Sequence, residues 1–393
     1  MAAWVLASIA QGCSLFHVKN DLGGSADAGD SSTVETSCNS SRRVCFAAPK
    51  VSSTSWGITS VLARIPRTGT STATLVVAAH GASEVVELKP ASGDLQSISH
   101  SILDVAPWQV SLGDFDLDGI EDLAVASPGT GVQVGEVSFW RAGSSSWSES
   151  TSQKVGLGTY AIAVRMGAKA GDVVAVGASY VAQTLVPLIA HAGGIPTAGT
   201  SISLDIKPTA LAFGSGLNSA SQLYIVGSGP TQGRLLVYDG ANGLLTRSSK
   251  SGPFGQFLND IKLGDLNGDS ILDAVIIDDS EVSEAYSLTA DNKQNWTIAS
   301  QHALPANSHA VTLADFDRDG KLDIATISGS TTTVQLCFGD GRGAFGHCEL
   351  LAHGIEQPTD ITSVDLDSDH WIDVVVVGYE GQVSILRAGP PEV

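Results

Sequence analysis

The chain has 393 residues, 43% apolar and 16% charged, so it can bury a large core and is not disordered as a whole. Its 41 acidic against 21 basic residues leave a net charge of −20, which disfavours nucleic acid and anionic membrane surfaces as partners and suits cations. Forty-three glycines, abundant Val, Ile, Thr and Ser, and no sustained 3.6-residue apolar period point to an all-β protein rich in turns.

Residues 1–13, MAAWVLASIAQGC, form an apolar stretch too short to cross a bilayer as a helix. They read as an export signal. Gly12-Cys13 resembles the end of a bacterial lipoprotein signal, which implies a lipid on Cys13 as the only membrane attachment. The expected location is the bacterial cell envelope or the extracellular space. Residues 14–41, rich in Gly, Ser and Asp, read as a flexible tether. Cys38 and Cys45 are close in sequence, as are Cys337 and Cys348, so an exported chain would carry two short-loop disulfides.

An acidic turn between two strand-like runs recurs along the rest. It reads GDFDLDGIEDLAVAS from Gly113, GDLNGDSILDAVIID from Gly264, ADFDRDGKLDIATIS from Ala314 and VDLDSDHWIDVVVVG from Val364. The first aspartates stand at 114, 265, 315 and 365, so two steps are 50 residues and the remaining gap of 151 is close to three. Copies that have lost most of the carboxylates fill that gap, from Tyr160 and from Thr209, and another precedes the first turn, from Ile58. Seven copies at this period predict a propeller or solenoid.

Each copy reads as four strands. In the sixth they are 310–315, 323–329, 333–340 and 347–354. A four-stranded antiparallel unit cannot cover both its faces alone, so the units pack around an axis as blades. The seventh copy stops after its third strand, and RRVCFAAP at 42–49 supplies the expected fourth, closing the ring between residues 42 and 393. The acidic turns with their β runs resemble FG-GAP/VCBS repeats, which build the propeller of integrin α-subunits and many bacterial surface proteins. The resemblance covers nearly everything after residue 42 and includes FG pairs at Phe254-Gly255 and Phe345-Gly346.

Counted from its first Asp, each turn carries oxygen donors at positions 1, 3, 5 and 9. They are Asp114, Asp116, Asp118 and Asp122; Asp265, Asn267, Asp269 and Asp273; Asp315, Asp317, Asp319 and Asp323; and Asp365, Asp367, Asp369 and Asp373. Hard oxygens at alternating positions suit Ca²⁺ better than the stricter octahedron of Mg²⁺, giving up to four structural calcium sites. An EF-hand would need Glu at position 12 and flanking helices, whereas Val125, Ile276, Thr326 and Val376 stand there in strand-like runs. The competing reading is a solvated acidic turn without metal, in which the carboxylates would repel one another. Position 6 is Gly119 and Gly320 in two turns but Ser270 and His370 in the others, which predicts looser turns there.

The chain shows no HExxH, GxSxG, phosphate loop or CxxC, so no catalytic residue is assigned. A column six residues before each turn's first Asp, or before its counterpart in the other copies (Leu62 in the first), includes Trp56, Trp108 and His309. With Tyr160 these could rim a binding face opposite the acidic turns, where integrin-like propellers bind ligands; the alternative is packing between blades. The expected protein is an exported, calcium-stabilised propeller that binds or adheres to protein or glycan ligands. The alternatives are a polysaccharide lyase of the same repeat type and a purely structural envelope scaffold.

Overall fold

The computed structural model describes residues 43–391, apart from 65–72, 92–93, 130–132, 143–146, 166–167, 216–220, 242 and 281. Residues 1–42, with the expected export signal and tether, Cys13 and Cys38, lie outside the described residues.

Seven antiparallel blades form a β-propeller. Blade 1 holds Ile58–Arg64, Thr74–Ala79, Glu84–Ala91 and Asp94–Ile102, and blade 2 Gln109–Gly113, Asp122–Ser127, Glu136–Ala142 and Trp147–Lys154. Blade 3 holds Thr159–Val164, Val173–Ser179 and Thr184–Ile189. Its outer edge is two short pieces, Thr197–Ala198 and Ile202–Ser203, where the Gly- and Pro-containing run 193–199 interrupts pairing. Blade 4 holds Lys207–Ser215, Ser221–Ser228, Gly233–Ala241 and Leu244–Phe254, and blade 5 Leu258–Gly264, Asp273–Asp278, Glu284–Ala290 and Trp296–Ala303. Blade 6 holds Ser308–Ala314, Asp323–Ser328, Thr333–Gly339 and Phe345–Ala352. Blade 7 has Pro358–Val364, Asp373–Gly378 and Gln382–Leu386.

Closure comes from the N-terminus, slightly later than 42–49. Lys50–Ser53 pairs with Gln382–Leu386 as the outer strand of blade 7, while Cys45–Phe46 pairs separately with Ala388–Gly389. The shift follows from Ala47-Ala48-Pro49: proline brings no amide to a ladder and breaks the pairing into two pieces. The first strand of each blade faces the axis and meets that of the next blade, with blade 7 meeting blade 1.

Runs such as DIATIS and DVVVVG are apolar without alternation because both their faces are covered. The core divides into seven clusters, one per blade interface, and that between blades 6 and 7 includes Val44 and Phe46 of the N-terminal segment. Near the start of six first strands the register shifts by one residue, a β-bulge that frees a side chain to bond across blades. Thr59 Oγ1 donates to the Trp108 carbonyl (2.7 Å) and Thr359 Oγ1 to that of Ile58 (2.9 Å). At the next position Gln109, Asp260 and Asp360 accept the amides of Ile162, Val311 and Val61 in the following blade. No described helix is long and apolar enough to cross a membrane.

Candidate metal centres

The four acidic turns join first and second strands of blades 2, 5, 6 and 7 and therefore lie on one face of the ring. Each is built the same way. Its second residue, Phe115, Leu266, Phe316 or Leu366, is buried and anchors the turn in the core. Positions 4 and 6 both have positive φ. The sixth residues are Gly119 (87°), Ser270 (66°), Gly320 (84°) and His370 (71°). Ser270 and His370 thus reach the left-handed region that glycine enters without strain, and the chain path is kept where looser turns were expected.

Backbone amides then aim the carboxylates. The position-6 amide donates to Oδ2 of the first Asp in all four turns, at 2.8–3.0 Å. The position-7 amide donates to Oδ1 of Asp118, Asp269, Asp319 and Asp369 at 2.8–3.0 Å. The position-5 amide donates to Oδ1 of Asp116, Asn267 and Asp317. Only Asp367 lacks this bond among the described contacts, so the blade 7 turn is the least braced.

The ninth residue opens the second strand and is buried in every case. Its Oδ1 accepts an amide from the third strand, Ala142, Ala290 or Gly339, or, in blade 7, from Ala388 just beyond it, at 2.8–2.9 Å. Burial pushes Asp122, Asp273 and Asp373 up to about 6 and Asp323 up to about 7, against the pull of those amide bonds.

In the blade 2, 6 and 7 turns, one oxygen from each of positions 1, 3 and 9 lies within 4.8 Å of the others. Oxygens bound to one Ca²⁺ at roughly 2.3–2.6 Å are no more than about 5.2 Å apart, so these carboxylates fit such an ion. In blade 5 Asn267 offers an amide oxygen at the same place. Basic side chains also reach the turns: Arg141 to Asp116 (3.1 Å), Arg43 to Asp317 (2.9 Å), and Arg387 to Asp373 (2.6 Å) and Asp367 (3.4 Å). These arginines were not legible as site residues, because each lies outside its turn, from 14 positions for Arg387 and Asp373 to 274 for Arg43 and Asp317.

The aromatic column does not form an exposed rim. Trp108 (3% exposed), Tyr160 (4%) and His309 (1%) are buried between blades. Trp108 stands edge-on to both His80 and Tyr160, at 5.4 and 5.7 Å. Trp56 is outside the column; its structural place is taken by Thr59, and its ring meets His100 instead. The misalignment arises because blade 1 lacks an acidic turn to fix the count. On the axis lies a channel of about 330 Å³ whose polar lining includes Asp260, Lys262, Thr312 and Asp360. Cys337 and Cys348 form a disulfide between facing strands of blade 6, beside the His302 imidazole. Cys45 is disulfide-bonded as well.

The fold and its turns define a seven-bladed propeller with acidic loops on one face. More particularly, it is an FG-GAP repeat propeller: residues 106–140 match the FG-GAP repeat, and residues 265–326 match an FG-GAP-like repeat. No curated protein is significantly similar in sequence. Among solved structures, the chain resembles BBS1N, determined in complex with ARL6DN in a mercury-soaked crystal. The TM-score is 0.60 at 14% identity, covering 89% of this chain and 99% of that one. The lead-soaked form of that complex gives a TM-score of 0.56 at 12% identity, covering 87% and 96%. At that identity the likeness is one of fold.

Proposed function

We propose that this propeller is an extracytoplasmic binding module whose four acidic turns are held by Ca²⁺ and whose opposite face engages a protein or glycan. The observation that carries the calcium reading is the shared scaffold of the turns, in which backbone amides orient oxygens from positions 1, 5 and 9 in all four and from position 3 in three. Buried ninth-position carboxylates would be costly to keep charged without a cation, and an ion shared with three neighbours offsets that cost. The Cys337–Cys348 disulfide supports a setting outside the cytoplasm, and lipidation of Cys13 belongs to the same reading. Loops between first and second strands leave the opposite face free for recognition.

Thermal unfolding in excess Ca²⁺ and in chelator tests the metal. The midpoint rises with Ca²⁺ by mass action, since the folded state alone presents the turns. Superimposable curves would overturn the calcium reading. Glycan-array and surface-protein binding, each with and without Ca²⁺, test the module; capture without turnover is expected, and release of unsaturated oligosaccharide would make it a lyase.

A further inference from the structure

Three of the four acidic turns have an arginine standing behind the aspartate at position 3. Arg141 Nε lies 3.1 Å from Asp116, an Arg43 terminal nitrogen 2.9 Å from Asp317, and an Arg387 terminal nitrogen 3.4 Å from Asp367. In each case the guanidinium faces Oδ2. The other oxygen of Asp116 and of Asp317 is turned into the loop, where it accepts the position-5 amide. The turn of blade 5 differs in both respects. It has Asn267 at position 3, whose own Nδ2 donates to Asp269 Oδ2 at 3.1 Å. No basic side chain is within ion-pair distance of Asp265, Asp269 or Asp273 among the described residues.

The arginines reach their targets by two routes. Arg141 and Arg387 each immediately precede the residue whose amide caps the ninth-position carboxylate. In blade 6 that place belongs to Phe338, and Arg43 arrives instead from the N-terminal segment, 5.1 Å above the Phe338 ring. The same charge is therefore delivered to the position-3 Oδ2 from unrelated parts of the chain, shared in blade 7 with the closer Asp373 Oδ2 at 2.6 Å, and only where position 3 is Asp. Incidental surface pairing would not follow that choice.

We propose that Arg43, Arg141 and Arg387 set the cation affinity of their turns, each offsetting the unit of charge that Asp adds over Asn at position 3. The proposal rests on the calcium reading above. Four carboxylates and one guanidinium sum to −4 + 1 = −3, the same as the three carboxylates of the blade 5 turn. Blade 6 has Lys321 on Asp319 in addition, making its turn the weakest of the four. Repulsion and orientation oppose one another here: a guanidinium repels the ion but also steadies a ligand. Repulsion wins: an amide already holds Asp116 and Asp317, and in blade 7, where Asp367 has no such bond among the described contacts, amides still hold Asp365 and Asp369. Removing one unit charge about 5 Å from a divalent ion is worth roughly tenfold in affinity even in a water-like dielectric.

Terbium is the probe, since Tb³⁺ occupies oxygen sites suited to Ca²⁺ and luminesces when a nearby indole absorbs. Trp371 is the seventh residue of the blade 7 turn but also lies 5.3 Å under Arg318 of the blade 6 turn, so the signal lost in Trp371→Phe is read in an Asp315→Asn, Asp317→Asn background that silences blade 6. In titrations of the full chain, Arg387→Gln should lower the half-saturating Tb³⁺ concentration roughly fiftyfold, more than for Ca²⁺ because the probe is trivalent. Arg387→Lys should stay near wild type, and Arg387→Gln with Asp367→Asn should return towards it. Half-saturation unmoved or raised in Arg387→Gln, or Arg387→Lys behaving like Gln, would overturn the proposal while leaving the calcium reading intact. Wild type without a saturable Trp371-dependent signal would overturn both. Should the blade 7 variants not fold, Arg141→Gln in calorimetric Ca²⁺ titration should show one tightened site, and an unchanged isotherm would count against the proposal equally.

Discussion

Arg43 forms an ion pair of 2.9 Å with Asp317, joining the segment that closes the ring to the acidic turn of blade 6. The same guanidinium covers the Phe338 ring, and the neighbouring Val44 and Phe46 are buried in the core between blades 6 and 7. Closure is therefore fastened at three points: the Arg43 pair, the buried Val44 and Phe46, and the four-residue strand Lys50–Ser53. Arg43 is half-exposed, so its pair and stacking together are worth about 1 kcal/mol. In chelator, Arg43→Ala should lower the melting temperature only by a degree or two. Amide exchange of residues 45–53 should nevertheless quicken, because this edge opens first. Exchange rates there equal to wild type would show that Arg43 does not fasten the ring.

Phe316 stands at position 2 of the same turn, fully buried, and its amide donates to Asp323 Oδ2 at 2.9 Å. It anchors the turn from below as the amides shape it from above. Phe316→Ala should cost about 3–5 kcal/mol, the usual range for emptying a buried phenylalanine site. Lys321→Ala in the same turn touches only exposed groups and serves as the surface control. Urea unfolding in chelator, where the charge of Lys321 no longer bears on a bound cation, compares the two; similar midpoints would mean that the turn does not depend on its apolar anchor.

Much of this was readable from residues because the repeat supplies its own comparison. DFDRDGKLD is ambiguous alone, but four turns with donors at the same positions give both the strand ends and the ligand set. Blades 3 and 4 were legible from spacing even without carboxylates. What the sequence hid lies across blades. Arg141 meets Asp116 from the far end of a third strand, and Arg43 meets Asp317 from a distance of 274 residues, so no local pattern marks either. The count through blade 1 is equally silent, because no acidic turn fixes it there, which is why Trp56 was placed in a column that it does not join.

Asp279, just after the second strand of blade 5, is pushed up to about 7, first by burial and then by its neighbour Asp278. Asn259 Nδ2 donates to its Oδ2 at 3.1 Å. A raised carboxyl binds its proton more tightly in the folded chain than in the unfolded one, so its contribution to stability is full below about pH 4. That contribution is lost as pH rises through about 7. Asp279→Asn should therefore be more stable than wild type at pH 8, with the advantage shrinking towards pH 4. Melting temperatures of both proteins in chelator, across this range, check the slope. A difference that does not vary with pH would show that Asp279 is charged throughout.

Trp108 decides between packing and recognition on the face opposite the acidic turns. Its ring is 3% exposed and packs between His80 of blade 1 and Tyr160 of blade 3, while its carbonyl accepts the hydroxyl of Thr59. Those contacts join three consecutive blades, so truncation opens a cavity on two interfaces at once. Trp108→Ala should cost about 3–5 kcal/mol in denaturant unfolding. Any ligand found on the array should bind the folded variant as it binds wild type, within about threefold, since so buried a ring offers it almost no surface. A variant that keeps its stability but loses the ligand would reverse the assignment and make Trp108 part of the binding face.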